Sequence, residues 1–209
     1  MTTGKLITFE GGEGSGKSTQ ARQLAERLGA ANIKTVVTRE PGGAPLAEKI
    51  RDLVLSERPA AAATELLLFA AARTEHIAVT IAPALEAGVW VVCDRYIDSS
   101  RVYQGDIAGL DKAFIRTIEL QTVAPWFPDL TLVLDVGAKL GMERAEVRGG
   151  LTRFDAASLA QHERVRQGFL DLAAAEKDRC VVLNGAEPEG VVAEAVWKAV
   201  TARLIAAAG

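Results

Sequence analysis

Residues 5–19 read KLITFEGGEGSGKST, and this stretch decides the fold. Leu6, Ile7, Thr8 and Phe9 form an apolar run of strand length. Gly11, Gly12, Gly14 and Gly16 follow, and beyond Lys17 and Ser18 the residues Gln20, Ala21, Leu24, Ala25 and Leu28 recur at helical spacing. Strand, glycine loop and helix in that order supply the context in which Gly11-x-x-x-x-Gly16-Lys17-Ser18 reads as a phosphate-binding P-loop. Glycines let backbone N–H groups close around a polyphosphate beside the positive end of a helix. The segment Gly11, Gly12, Glu13, Gly14, Ser15, Gly16, Lys17, Ser18 and Thr19 is therefore expected to cradle a nucleotide's phosphates. Lys17 would reach the β- and γ-phosphates, and Ser18 would hold a bridging magnesium ion, which takes a few hard oxygen ligands and keeps several waters.

Outward from the loop, four more short apolar runs predict strands: Thr35–Thr38, Val89–Cys93, Leu130–Asp135 and Cys180–Leu183. Helical patterns separate them. They cover Pro45–Leu55, Ala61–Ala87 with an interruption near Pro83, Asp111–Ala124, Leu140–Val147, Ser158–Ala175 and Pro188–Ala207. Strands each followed by helix imply an α/β fold, a five-stranded parallel sheet flanked by helices on both faces with right-handed crossovers. A chain of 209 residues suits one such domain, spanning 1–209.

Ligands of open α/β sheets bind at the carboxyl ends of the strands. Arg39 and Glu40 stand there after the second strand, either as site residues or as a turn before Pro41-Gly42-Gly43, and Arg51 lies on the helix that follows. Asp94 closes the buried third strand, where it would orient magnesium or its waters or, alternatively, pair with Arg95 at the start of a helix. Asp98, Ser99 and Ser100 can cap that helix, with Tyr103 and Gln104 about one turn later. Phe69 and Arg73, four residues apart, share a helical face: a ring and a guanidinium that could hold a planar base, or plain core. His76 is on the same face without visible metal partners and stays unassigned. Arg144, Arg148 and Arg153 surround Gly149-Gly150, which suggests a cationic flap over about 144–156, or an ordinary solvated loop.

A net charge of −3, with basic residues nowhere in runs longer than two, provides no footprint for nucleic acid or an anionic membrane. Cys93 and Cys180 read as buried free thiols of a reducing cytoplasm. No leader is expected before the first strand, and no apolar stretch is expected to reach the ~18 residues a bilayer requires.

Together these motifs resemble a bacterial thymidylate kinase, of the P-loop nucleoside monophosphate kinase family, over nearly the whole chain. The most specific pieces are Thr38-Arg39-Glu40-Pro41-Gly42-Gly43, Leu66-Leu67-Leu68-Phe69-Ala70-Ala71-Ala72-Arg73, and Asp94-Arg95-Tyr96-Ile97-Asp98-Ser99-Ser100 running into Tyr103-Gln104-Gly105. The resemblance implies transfer of the γ-phosphoryl group of ATP to dTMP in dTTP biosynthesis, with Mg²⁺, in a cytoplasmic homodimer. It gives Phe69 the thymine-stacking role, Arg73 a bond to a thymine carbonyl, and Ser100 and Gln104 the base's polar edge. Tyr103 would crowd the 2′ position, Arg95 with Arg39 and Arg51 would hold the acceptor phosphate, and Glu13 would approach the 3′-hydroxyl. Glu10 and Asp94 join Ser18 around magnesium, and Lys17, Arg95, Arg148 and Arg153 form the catalytic set. Asp106-Ile107-Ala108 departs from the family's pattern after Tyr-Gln-Gly, as do Thr152 and Asp155 in the flap, so no contacts from the first of these are carried over. The alternatives are a deoxynucleoside kinase, which would need a carboxylate base, another monophosphate kinase, or a GTP-hydrolysing switch, for which the Asn-Lys-x-Asp stretch is missing.

Overall fold

The computed structural model describes residues 4–55, 60–149, 152 and 154–206. Five strands, β1 (Leu6–Glu10), β2 (Thr35–Arg39), β3 (Trp90–Asp94), β4 (Leu130–Asp135) and β5 (Cys180–Asn184), pair in the order β2-β3-β1-β4-β5, all parallel. The central strands are apolar on both faces because helices cover both. Ile7, Phe9, Val92 and Leu132 meet Leu24 and Leu28 of α1 (Lys17–Ala30) and Val192, Val196 and Val200 of the C-terminal helical run. On the other face Leu6, Val91 and Cys93 meet Ile77, Ile81 and Leu85. Both cysteines are free and buried.

The remaining helices are α2 (Pro45–Val54), α3 (Ala62–His76), α4 (Ala82–Glu86), α5 (Ile97–Ser100), α6 (Lys112–Thr122), α7 (Ala138–Arg148), α8 (Leu159–Ala175) and α9 (Glu189–Val200). Asp111 caps α6 by accepting from the Phe114 N–H at 2.9 Å, and Ser158 caps α8 through Gln161. Pro83 does not interrupt the third helical region. It falls in the first turn of α4, and the chain reaches it through a π-helical turn, Ile77–Ile81. The resulting run, Ala62–Glu86, is by length and composition long and apolar enough to cross a membrane, which corrects the expectation that no such stretch exists. Here it lies as a core helix that buries Leu66, Ala72, Ile77, Ile81 and Leu85 and carries the buried charges of Glu65 and Arg73.

Asp98, Ser99 and Ser100 do not cap a helix, because α5 already begins at Ile97. Asp98 is fully buried, and Arg179 grips it with two bonds of 2.7 Å. The same arginine donates to Thr131, which shares a 2.8 Å hydrogen bond with Thr8. This polar cluster ties α5 to β1 and β4. A second π-helical turn, Arg101–Ile107, follows and carries Tyr103 and Gln104. Because β1 lies between β3 and β4, the strand order reverses beside the glycine loop, and the crevice there receives the loops after β1, β2 and β3.

Candidate active site

The glycine loop joins β1 to α1 as expected. At Gly14, φ is +67°, and a Cβ there would come within 1.9 Å of the Gly141 carbonyl oxygen on α7, so only glycine fits. Lys17 folds back over the loop, donating to the Gly11 and Gly12 carbonyls at 3.0 and 2.7 Å and to Ser15 Oγ at 3.2 Å. Burial, helped by nearby Arg95, lowers its pKa to about 8, against the opposing pull of Asp94, Glu13 and Glu10. Ser18 Oγ donates to Asp94 Oδ2, so the end of β3 and the start of α1 bring together two hard oxygen donors beside the loop.

Glu10 is placed elsewhere. Both its oxygens are occupied: Tyr96 N–H and Ser99 N–H donate to Oε1 at 2.8 and 3.2 Å, and Ser99 Oγ–H to Oε2 at 2.7 Å. Burial, with Asp98 adding to it, raises its pKa to about 7 despite those bonds and Arg95. A carboxylate so engaged anchors the chain after β3, and the structure brings Asp94, not Glu10, to Ser18.

Arg95 has φ +66°, a left-handed conformation that costs a non-glycine residue about 1 kcal/mol or more. That geometry returns its guanidinium over the glycine loop. Nη1 donates to the Gly11 carbonyl and Ser99 Oγ, Nη2 donates to Glu13 at 2.7 Å, and the group lies 5.3 Å from the Tyr103 ring centre. Burial opposes its charge, but Tyr103, Glu13 and Asp94 more than offset that and raise its pKa. For Glu13, too, burial favours the neutral form; Arg95, Lys17 and the Tyr103 hydroxyl outweigh it and hold the carboxyl below its ordinary pKa. Tyr103 O–H donates to both Glu13 oxygens at 2.8 Å.

A cavity of about 700 Å³ opens from the glycine loop. Arg39, Arg51 and Arg95 line it, and so do Phe69, Arg73, Ser100, Tyr103 and Gln104. Arg51 donates to the Pro41 carbonyl at 2.7 Å, and burial, then Arg39, lowers its pKa. Arg73 is buried and donates through Nη2 to Tyr96 O and Ser100 Oγ at 3.1 and 3.2 Å. Every expected nucleotide-site residue between Glu13 and Gln104, Gly11 and Gly12 aside, thus borders one space.

The flap is different. Arg153 lies outside the described residues with Gly150 and Leu151, and Arg148 ends α7 with its side chain outside the description. Arg144 is bound to the Gly185 and Ala186 carbonyls at 2.8 and 3.2 Å, bracing the loop after β5. Phe154, Glu187 and Glu189 are among the lining residues that had no role in the sequence reading. Phe154 packs edge-on to Tyr103 with ring centres 5.5 Å apart, a contact across 51 positions that leaves no local signal. Among the described residues no cluster of three or more His, Cys, Asp or Glu could hold a metal by itself. Ser18 and Asp94 fit an ion that takes most of its oxygens from phosphate and water.

A P-loop and several arginines that border one cavity together with Phe69 and Arg73 define a P-loop nucleotide phosphotransferase. The sequence profile of the family described as "Thymidylate kinase" matches residues 9–196. The chain is 48% identical to a thymidylate kinase of Nitrobacter hamburgensis, over 99% of this chain and 92% of that protein. It is 47% identical to one from Caulobacter vibrioides, over 98% and 99%. The crystal structure of thymidylate kinase from Ehrlichia chaffeensis superposes with a TM-score of 0.78 at 34% identity, covering 95% of this chain and 99% of that one. The chain belongs to the thymidylate kinase family.

The Lys17 pKa has a direct consequence. Lowered from 10.5 to about 8, the folded-state value means that burial of the charged amine costs stability below about pH 8, a cost relieved as pH rises to 10.5. Phosphate binding needs the charged form. ATP affinity of the free protein is therefore expected to fall as pH rises from about 7 to about 9.5, with a midpoint near 8. Calorimetric titration across that range checks it, and a flat profile would remove Lys17 from the phosphate contacts.

Proposed function

We propose that the protein transfers the γ-phosphoryl group of ATP to dTMP, giving dTDP and ADP. The observation that carries this is that the P-loop, the arginines Arg39, Arg51 and Arg95, and the pair Phe69 and Arg73 all border one cavity. The acceptor phosphate oxygen is already a nucleophile at neutral pH, so no general base is needed, and positioning with charge neutralisation does the catalysis. Arg39, Arg51 and Arg95 hold the acceptor phosphate. Phe69 stacks on thymine, Arg73 bonds its carbonyl, and Ser100 and Gln104 complete its polar edge. Tyr103, held by Glu13, presents its ring where a 2′-hydroxyl would need room, and Glu13 faces the 3′-hydroxyl. The glycine loop and Lys17 bind ATP. Magnesium, held by Ser18 and Asp94, would neutralise charge on the bridged phosphates. A deoxynucleoside kinase is the less favoured reading, because it would need a carboxylate base to activate a neutral 5′-hydroxyl.

A coupled assay with ATP and alternative acceptors checks the function. dTMP is expected to be phosphorylated, with thymidine and the ribonucleotide counterpart poor acceptors, and preference for thymidine would favour the other reading. Arg73→Ala is expected to lower kcat/KM for dTMP roughly ten- to hundredfold, the loss of a charge-assisted bond of about 1.5 to 3 kcal/mol, with ATP affinity nearly unchanged.

The interior of the glycine loop, Gly12-Glu13-Gly14-Ser15, has no cation to offer the transferring phosphoryl group. We assign that role to Arg148 and Arg153 on the flap, delivered as a lid closes over bound nucleotides. Either substitution by alanine is expected to cut single-turnover transfer by about 10³ with dTMP affinity little changed. Rates within a factor of about three in both variants would make them surface charge.

The protein is further read as cytoplasmic and homodimeric. The dimer is supported by α2 and α6, which both pack on α3. Together these helices leave Leu53, Leu67, Phe114 and Leu120 between 40% and 60% exposed. Sedimentation is expected to give twice the 22.2 kDa chain mass, and Leu67→Glu to shift it toward one chain; a wild-type monomer would overturn the assignment.

A further inference from the structure

The fully buried His76 on α3 has no part in the mechanism above, yet both its ring nitrogens are engaged. Nδ1 meets Glu40 Oε1 at 3.1 Å, and Nε2 meets Thr38 Oγ1 at 2.7 Å. The other Glu40 oxygen, Oε2, accepts from Arg73 Nε at 2.6 Å. A carboxylate facing a guanidinium is an acceptor, so Nδ1–H donates to it, and Nε2 shares the other hydrogen bond with the Thr38 hydroxyl. The result is a continuous chain: the end of β2, the imidazole, the carboxylate, the guanidinium.

We propose that His76 is a positioning residue for base recognition, acting through Glu40 on Arg73. This rests on the reading of Arg73 as the residue that bonds a pyrimidine carbonyl. The terminal torsion of a glutamate is broad and two-fold, so a carboxylate held at one oxygen can turn and carry its arginine with it. The His76 bond to the second oxygen stops that rotation. The Arg73 plane is then fixed on one side by Glu40 and on the other by Tyr96 O and Ser100 Oγ, while Nη1 has no partner among the described residues and Arg73 borders the cavity. A space-filling role would not need the ring to be so closely held from behind. Gly43, with φ +80°, lies so near that a Cβ on it would come within 2.3 Å of Nε2 and 2.5 Å of Thr38 Oγ1. Its carbonyl is tied in turn to Thr80 Oγ1 at 2.7 Å.

The experiment measures dTMP and ATP affinity by calorimetry, together with KM and kcat, for the wild type, His76→Leu, His76→Asn, Arg73→Ala and the Arg73→Ala/His76→Leu double variant. His76→Leu is expected to weaken dTMP binding about tenfold, with ATP affinity and kcat within about threefold of wild type, the mark of an oriented charged bond and not of general damage. His76→Asn, whose amide N–H can reach the same carboxylate oxygen, restores most of the loss. In the Arg73→Ala background His76→Leu adds nothing, because the two act as one unit. Equal losses for both nucleotides, an additive double variant, or unchanged dTMP affinity in His76→Leu overturns the proposal. If His76→Leu does not fold, Thr38→Val takes its place: it frees the ring to turn while leaving it buried, and a dTMP-selective loss of about threefold is expected, with no loss overturning the relay. A wild type that fails to phosphorylate dTMP overturns the functional reading itself, whereas active wild type with additive variants overturns the relay alone.

Discussion

The buried Glu10 carboxylate holds the site together. It closes β1, and its oxygens collect two backbone N–H groups and one hydroxyl from Tyr96 and Ser99, so the segment after β3 can take only one path relative to the glycine loop. That path puts Arg95 into its left-handed conformation, Ser100 against Arg73, and the π-helical turn with Tyr103 beside Glu13. A buried acid usually costs stability, and this one has its pKa raised by burial. The cost secures a fixed relation between the glycine loop and the segment after β3.

Charge in the cavity is poised around what it binds. Arg95 lies close enough to oppose the protonation of buried Lys17, and both cations lower the pKa of Glu13. In this arrangement Glu13 occupies Arg95 Nη2, and the carbonyls of Gly11 and Gly12 occupy the lysine.

The sheet was legible from sequence because its central strands are apolar on both faces, and the glycine loop because its spacing is local. That Phe69 and Arg73 share one helical face was legible from their four-residue spacing, but the spacing left open whether they line a cavity, as they do, or fill the core. What escaped the reading depends on contacts between distant positions. Nothing near Glu10 announces Tyr96 and Ser99 as its partners, and nothing near Arg144 announces the carbonyls of Gly185 and Ala186. Asp98, Ser99 and Ser100 look like capping residues in sequence, yet their side chains serve Arg179, Glu10 and Arg73. Pro83 resembles a break and is none, because the preceding π-helical turn places it where a helix tolerates it. Arg153, assigned to the flap from its place near Gly149-Gly150, lies outside the described residues.

The backbone contact between Gly14 and Gly141 has a consequence of another kind. A Cβ on either residue would strike the other segment's backbone, Gly141 O at 1.9 Å in one direction and Glu13 O at 2.6 Å in the other. Neither collision involves a side chain that could be trimmed, so no change at one position makes room for a change at the other. Selection on the nucleotide loop is therefore also selection on the middle of α7, and the two segments inherit as a single surface although the chain visits most of the sheet between them.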